Sequence, residues 1–181
     1  FIKNLVCDCE PTMEHKLITD FKWKAIFTTN YDEAIETAFK ENKSSLQRVE
    51  KIISDNDSLQ KVIVNPEKLP LIKIHGCITR ANDSRVPLVI ASSDYRRHLE
   101  NRSSLYQYLK ECLTSNLVIF YGYGLADLNI IGILDDLEKD GVNRMRHIWI
   151  DPFMKEIHKN YWQSKNLECK DDYNINVRGV E

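Results

Sequence analysis

The chain has 181 residues, of which 43% are hydrophobic and 29% charged, with a formal net charge of −2. That is enough for one domain with a real core, and the near-neutral charge argues against nucleic acid or an anionic membrane surface as a partner. No apolar run approaches the ~20 residues of a membrane-spanning helix, and the polar-interrupted start Phe1-Ile2-Lys3-Asn4-Leu5-Val6 is too short for a secretory signal. A cytoplasmic location is expected.

In chain order, Thr12 to Asp20 predicts a short helix with Thr12 as cap. Ala25 to Thr29 predicts a strand, and Tyr31 to Asn42 a helix with Ala34, Ile35, Ala38 and Phe39 on one face. Ser44 to Asn65 is charged and weakly periodic, an irregular helix and loop. Leu71 to Ile74 and Pro87 to Ala91 predict strands on either side of a polar loop. A long helix follows to about Thr114, with Tyr95, Leu99, Leu105, Tyr108, Leu109 and Cys112 as candidate core positions. Leu117 to Tyr121 predicts a strand, and Leu128 to Lys139 a helix capped by Asp127 and stopped at Gly141. His147 to Ile150 predicts a strand, Phe153 to Lys165 a helix, and Tyr173 to Val177 a short edge strand.

Short runs of branched and aromatic residues alternating with helical patterns predict an α/β fold with a parallel sheet. The runs end in polar or glycine positions. Such sheets bind ligands outside the carboxyl ends of their strands, so Asn30, His75, Ser92, Gly122 and Asp151 are expected along one edge. Each has a plain structural reading beside the functional one. Asn30, with Glu33 three positions on, fits a helix cap, or an amide holding a water and a sugar hydroxyl. His75 fits an incidental loop histidine or a base titrating near neutrality, and Gly76 allows a backbone or ligand to come close. Gly122-Tyr123-Gly124-x-x-Asp127-x-Asn129 fits a tight turn before a capped helix, or backbone amides meeting a ligand while Asp127 and Asn129 fix hydroxyls. Asp151 fits a ribose contact or a cap.

The five cysteines, at 7, 9, 77, 112 and 169, form no Cys-x-x-Cys pair, which points to reduced thiols with Cys112 in a helix core and no structural zinc.

Taken together, Thr28-Thr29-Asn30-Tyr31-Asp32, Ile74-His75-Gly76, Val89 to Tyr95 and Gly122 to Asn129 resemble the bacterial sirtuin-like domain family. The upstream Pro11-Thr12-x-x-His15-x-Leu17-Ile18 is also similar to it. The resemblance implies a Rossmann-like parallel sheet flanked by helices, forming one domain over residues 1–181, that takes NAD⁺ as substrate. It implies catalytic roles for Asn30 and His75 and a place for Asp32 near the nicotinamide. Thr28, Thr29, Gly76, Gly122, Tyr123, Asp127 and Asp151 are implied as nucleotide contacts.

Only Cys77 and Cys112 stand where true sirtuins carry a four-cysteine zinc module, so the resemblance is to zinc-less NAD hydrolases of antiphage defence rather than to protein deacylases. Gly124 replaces a serine usual in that loop, and no Gly-Ala-Gly-x-Ser phosphate loop with its strand precedes Thr28. The expectation is therefore an N-terminally truncated domain that hydrolyses NAD⁺, working as a homo-oligomer or with additional domains. The alternative is a non-catalytic module that senses a nucleotide or serves as an assembly interface.

Overall fold

A computed structural model describes residues 9–90, 94, 99–124, 127–139, 141, 145–151 and 153–170. The chain divides into two compact units, residues 1–107 and 108–181. Each is an α/β arrangement around a three-stranded parallel sheet. Among the described residues no helix is long and apolar enough to cross a membrane.

In the first unit α1 (Met13–Leu17) leads through a 3-10 turn (Ile18–Asp20) to β1 (Ile26–Thr28). Then come α2 (Ala34–Glu41), β2 (Arg48–Ile52), α3 (Leu59–Ile63) and β3 (Lys68–Lys73). The sheet order is β1-β3-β2, all parallel. The central strand β3 is buried from Leu69 onward, and Ile74 is buried after it. A parallel strand covered on both faces carries such a continuous apolar run. Pro70 is tolerated there for a geometric reason. Ile74 N donates to Thr28 O at 3.1 Å, and the alternation of a strand turns the Pro70 nitrogen to the same side. The β1 ladder starts one step later, at the Ile26–Leu71 pair, so no ladder bond is lost.

Two expectations in this unit are corrected. The stretch taken for an irregular helix and loop holds β2 and α3. The charges of Arg48, Glu50 and Lys51 hid β2, an edge strand whose side chains reach solvent and ion partners. Conversely, Pro87 to Ile90 form no strand, because side chains take the places of a neighbouring strand. Arg102 Nη2 donates to Pro87 O at 2.7 Å, the Tyr31 hydroxyl donates to Val89 O, and Ile90 N donates to Asp94 Oδ2 at 3.0 Å. Ala91 lies outside the described residues.

The helix α4 (Ser103–Ser115) buries Leu105, Tyr108, Leu109 and Cys112 as expected. Leu99 instead stands outside it, 48% exposed, because the chain turns at Asn101 with φ 59°. Tyr95 is outside the described residues.

In the second unit β4 (Ile119–Tyr121), α5 (Leu128–Lys139), β5 (His147–Ile150), α6 (Glu156–Ser164) and β6 (Leu167–Lys170) follow in order. Central β5 buries His147 and Trp149, and Trp149 packs edge-on against Trp162 of α6. The strand β6 was not expected. Its signal is short: Asn166, in the left-handed region at φ 62°, stops the helix and an apolar–polar alternation follows over Leu167 to Lys170. The expected edge strand over 173–177 lies outside the described residues. Among the described residues the strands expected in one sheet are hydrogen-bonded as two.

Candidate active site

In the first unit the register pairs Thr28 with Lys73, so β1 and β3 emerge at the same level. Ile74 N still donates to Thr28 O at 3.1 Å. Asn30 and His75 each stand two residues beyond that pair, at the carboxyl edge of the sheet.

The turn is shaped locally. The Thr28 hydroxyl accepts from Asn30 N at 3.0 Å, so this threonine braces the turn, with Thr29 half-buried between them. The Asn30 side chain is exposed and has no hydrogen bond to another described residue. The capping reading of Asn30 is therefore corrected. The cap position falls on Glu33, whose side chain makes no cap bond, and one residue before it Asp32 Oδ1 accepts from Ala34 N at 2.9 Å. Glu33 turns instead to Lys51, Oε1 lying 2.5 Å from Nζ.

His75 is 5% exposed, and its carbonyl accepts from Val89 N at 3.0 Å. Gly76 follows at φ +95°, where a Cβ would meet Leu88 Cδ2 at 3.0 Å and Arg102 Nη2 at 3.4 Å. The glycine permits close approach, and the group that approaches is Leu88.

Charge is concentrated behind the turn. Lys73, buried in β3, donates to the Asp32 carbonyl and to Glu36 Oε1 at 3.0 Å. Burial works to lower the pKa of Lys51, but the Glu33 hydrogen bond and the charges of Cys77, Glu33 and Glu36 outweigh it and raise it. Glu33, Glu36 and Cys77 could gather on a cation, yet Lys51 Nζ already lies 3.8 Å from Glu36 and 3.6 Å from Cys77 Sγ. Burial lowers the pKa of Arg102, whose guanidinium is held by the carbonyls of Ile53 and Pro87.

Gly122, Tyr123, Asp127 and Asp151 lie in the second unit. Gly122 closes β4 at φ +58°, with nothing within 4 Å of where a Cβ would be. Trp149 Nε1 donates to Tyr123 O at 2.9 Å, and the Tyr123 ring stacks on Phe120. Asp127, buried, caps α5 through Oδ1, which accepts from Asn129 N at 2.8 Å and Ile130 N at 3.4 Å. Asp151 follows β5, its Oδ1 accepting from Phe153 N at 2.9 Å. Ser92 lies outside the described residues.

Sequence reading missed Tyr31, Lys73, Val89 and Arg102. A lysine inside the apolar run Leu71-Ile72-Lys73-Ile74 was the available signal, since a buried ammonium needs a partner.

A family model for the SIR2-like domain matches residues 24–170. The chain is 28% identical over 152 residues to defense-associated sirtuin 2 of Bacillus subtilis, covering 81% of this chain and 14% of that protein. It is 23% identical over 175 residues to the NAD(+) hydrolase ThsA of Enterococcus faecium, covering 94% of this chain and 34% of that protein. The chain thus matches only a minor part of either relative's length.

Proposed function

Because this chain belongs to the SIR2-like domain family, we propose that it binds NAD⁺ and hydrolyses its nicotinamide–ribose bond as part of a defence protein. The observation that carries this is the pair Asn30 and His75, each two residues beyond the paired ends of adjacent parallel strands, with the Asn30 side chain exposed and unengaged by described residues. Support for the substrate and setting comes from the relatives, one named an NAD(+) hydrolase and the other a defense-associated sirtuin.

The reaction is NAD⁺ plus water giving ADP-ribose, nicotinamide and a proton. The C–N bond breaks through an oxocarbenium-like state, and nicotinamide leaves neutral, so it needs no general acid. Asn30 has an acceptor for the attacking water and a donor for a ribose hydroxyl. The His75 imidazole takes the proton released from water, or from a ribose hydroxyl. Asp32 keeps one carboxylate oxygen on Ala34 N and offers negative charge toward the developing cation. Thr28, Thr29 and Gly76 shape the turns that present this pair. Gly122, Tyr123, Asp127 and Asp151 are retained in the proposal as nucleotide contacts. In the complete protein we place this activity beside further domains or in a homo-oligomer.

The test is nicotinamide release from NAD⁺ by the full-length protein, followed by chromatography. Asn30→Ala and His75→Ala should each abolish it. Undiminished release from both would overturn the assignment.

A further inference from the structure

The Pro87–Val89 segment forms no strand, yet Val89 is the residue that holds the main chain of His75. Val89 N donates to His75 O at 3.0 Å, and the next group along, Val89 O, accepts the hydroxyl of Tyr31. Tyr31 immediately follows Asn30 in sequence. Its own carbonyl accepts from Ile78 N at 2.9 Å, three residues beyond His75. The path from Asn30 to His75 is therefore closed on two sides. One side is the β1–β3 ladder, ending with Ile74 N on Thr28 O. The other runs Tyr31 hydroxyl, Val89 main chain, His75 carbonyl.

The second side rests on side chains, because the segment lacks the ladder that would otherwise fix it. Arg102 supplies one anchor at Pro87 O, 2.7 Å away, and Tyr31 supplies the other. Gly76 seats the turn against Leu88 between those anchors.

We propose that the Tyr31 hydroxyl is a positioning group that sets the His75 imidazole relative to Asn30 through the main chain of Val89. The proposal rests on the reading of Asn30 and His75 as the reactive pair. It gives the Asn-Tyr-Asp block a third working member. Tyr31 acts on His75 through Val89.

Tyr31→Phe removes the hydroxyl and keeps the ring, so packing is retained. With His75 loosened, kcat for nicotinamide release should fall on the order of tenfold to a hundredfold in the full-length protein, because small misplacements of a catalytic group carry such costs. KM should stay within about twofold, as no substrate contact is lost. A purely structural tyrosine would lower the melting temperature and leave kcat per folded molecule alone. That result would overturn the proposal.

A second readout needs no activity. The 181-residue chain holds five histidines, and the Cε1 proton–carbon signal lost in His75→Gln identifies that of His75 by NMR. Tyr31→Phe should shift or broaden the His75 signal and leave those of His15 and His158 in place. An unmoved His75 signal would overturn the proposal. Should His75→Gln retain nicotinamide release, the hydrolase reading fails on its own, and the ring signal still decides whether Tyr31 positions His75.

Discussion

Lys73 Nζ, on a side chain only 1% exposed, stands 3.0 Å from Glu36 Oε1. The same ammonium donates to the carbonyl of Asp32. One buried cation thus ties central strand β3, helix α2 and the Asn30–Asp32 turn together. Taking a charge out of water costs several kcal/mol unless it is paired and hydrogen-bonded, which explains why this lysine meets both a carboxylate and a carbonyl.

Removing one partner should therefore cost more than removing both. Glu36→Ala strands the ammonium and should destabilise the fold by about 3–5 kcal/mol, while Lys73→Met/Glu36→Leu should cost clearly less than the sum of its single changes. Lys51, 3.8 Å from Glu36, loses a weaker contact in the same variant. Urea unfolding of wild type, Glu36→Ala, the two single changes and the double variant measures this, and additive costs would count against the pairing.

For catalysis, Asn30→Ala and His75→Ala should lower nicotinamide release by at least the ~10²–10⁴ typical of a lost base. Asn30→Ala should not move the melting temperature by more than a few degrees, because the Asn30 side chain is exposed and makes no hydrogen bond with described residues.

Gly76→Ala faces two penalties at once. A side chain at φ +95° is strained, and the new Cβ would lie 3.0 Å from Leu88 Cδ2. Together these should cost about 1–3 kcal/mol. Leu88→Ala in the same chain removes the clash and leaves the backbone strain, so thermal melts should show partial recovery. Full recovery would mean that the φ angle costs nothing.

Alkaline stability should depend on Lys51, whose pKa is raised in the fold despite its burial by the Glu33 hydrogen bond and neighbouring negative charge. A raised lysine contributes its stability fully below the unfolded value of about 10.4 and loses it as pH climbs through the folded value. The gap in urea midpoint between wild type and Lys51→Met should therefore be constant near neutrality and shrink above about pH 10. A gap that widens with pH would give the opposite sign and contradict the ion pair.

Much of this could be read along the chain. The apolar runs before Asn30 and His75 announced two strands ending in polar residues, and Asp127 marked the start of α5 to the residue. These signals are local: a strand end, a cap and a helical period are each written within a few consecutive residues. What could not be read depended on neighbours. Arg48 to Ile52 looks like charged coil until β3 is beside it, and then its main chain completes the ladder while its charges face outward and to ion partners. Pro87 to Ile90 has the composition of a strand, yet Arg102, Tyr31 and Asp94 side chains hold Pro87 O, Val89 O and Ile90 N, and only Val89 N meets a main-chain carbonyl, that of His75. Asn30 reads as a cap for the following helix, yet the helix begins only at Ala34, and the bond to Ala34 N comes from Asp32, two residues before it. The link from Tyr31 to His75 spans distant parts of the chain through Val89. Such a contact exists only once the backbone has folded, since a hydroxyl finds its carbonyl by position in space and leaves no periodic trace in the order of residues.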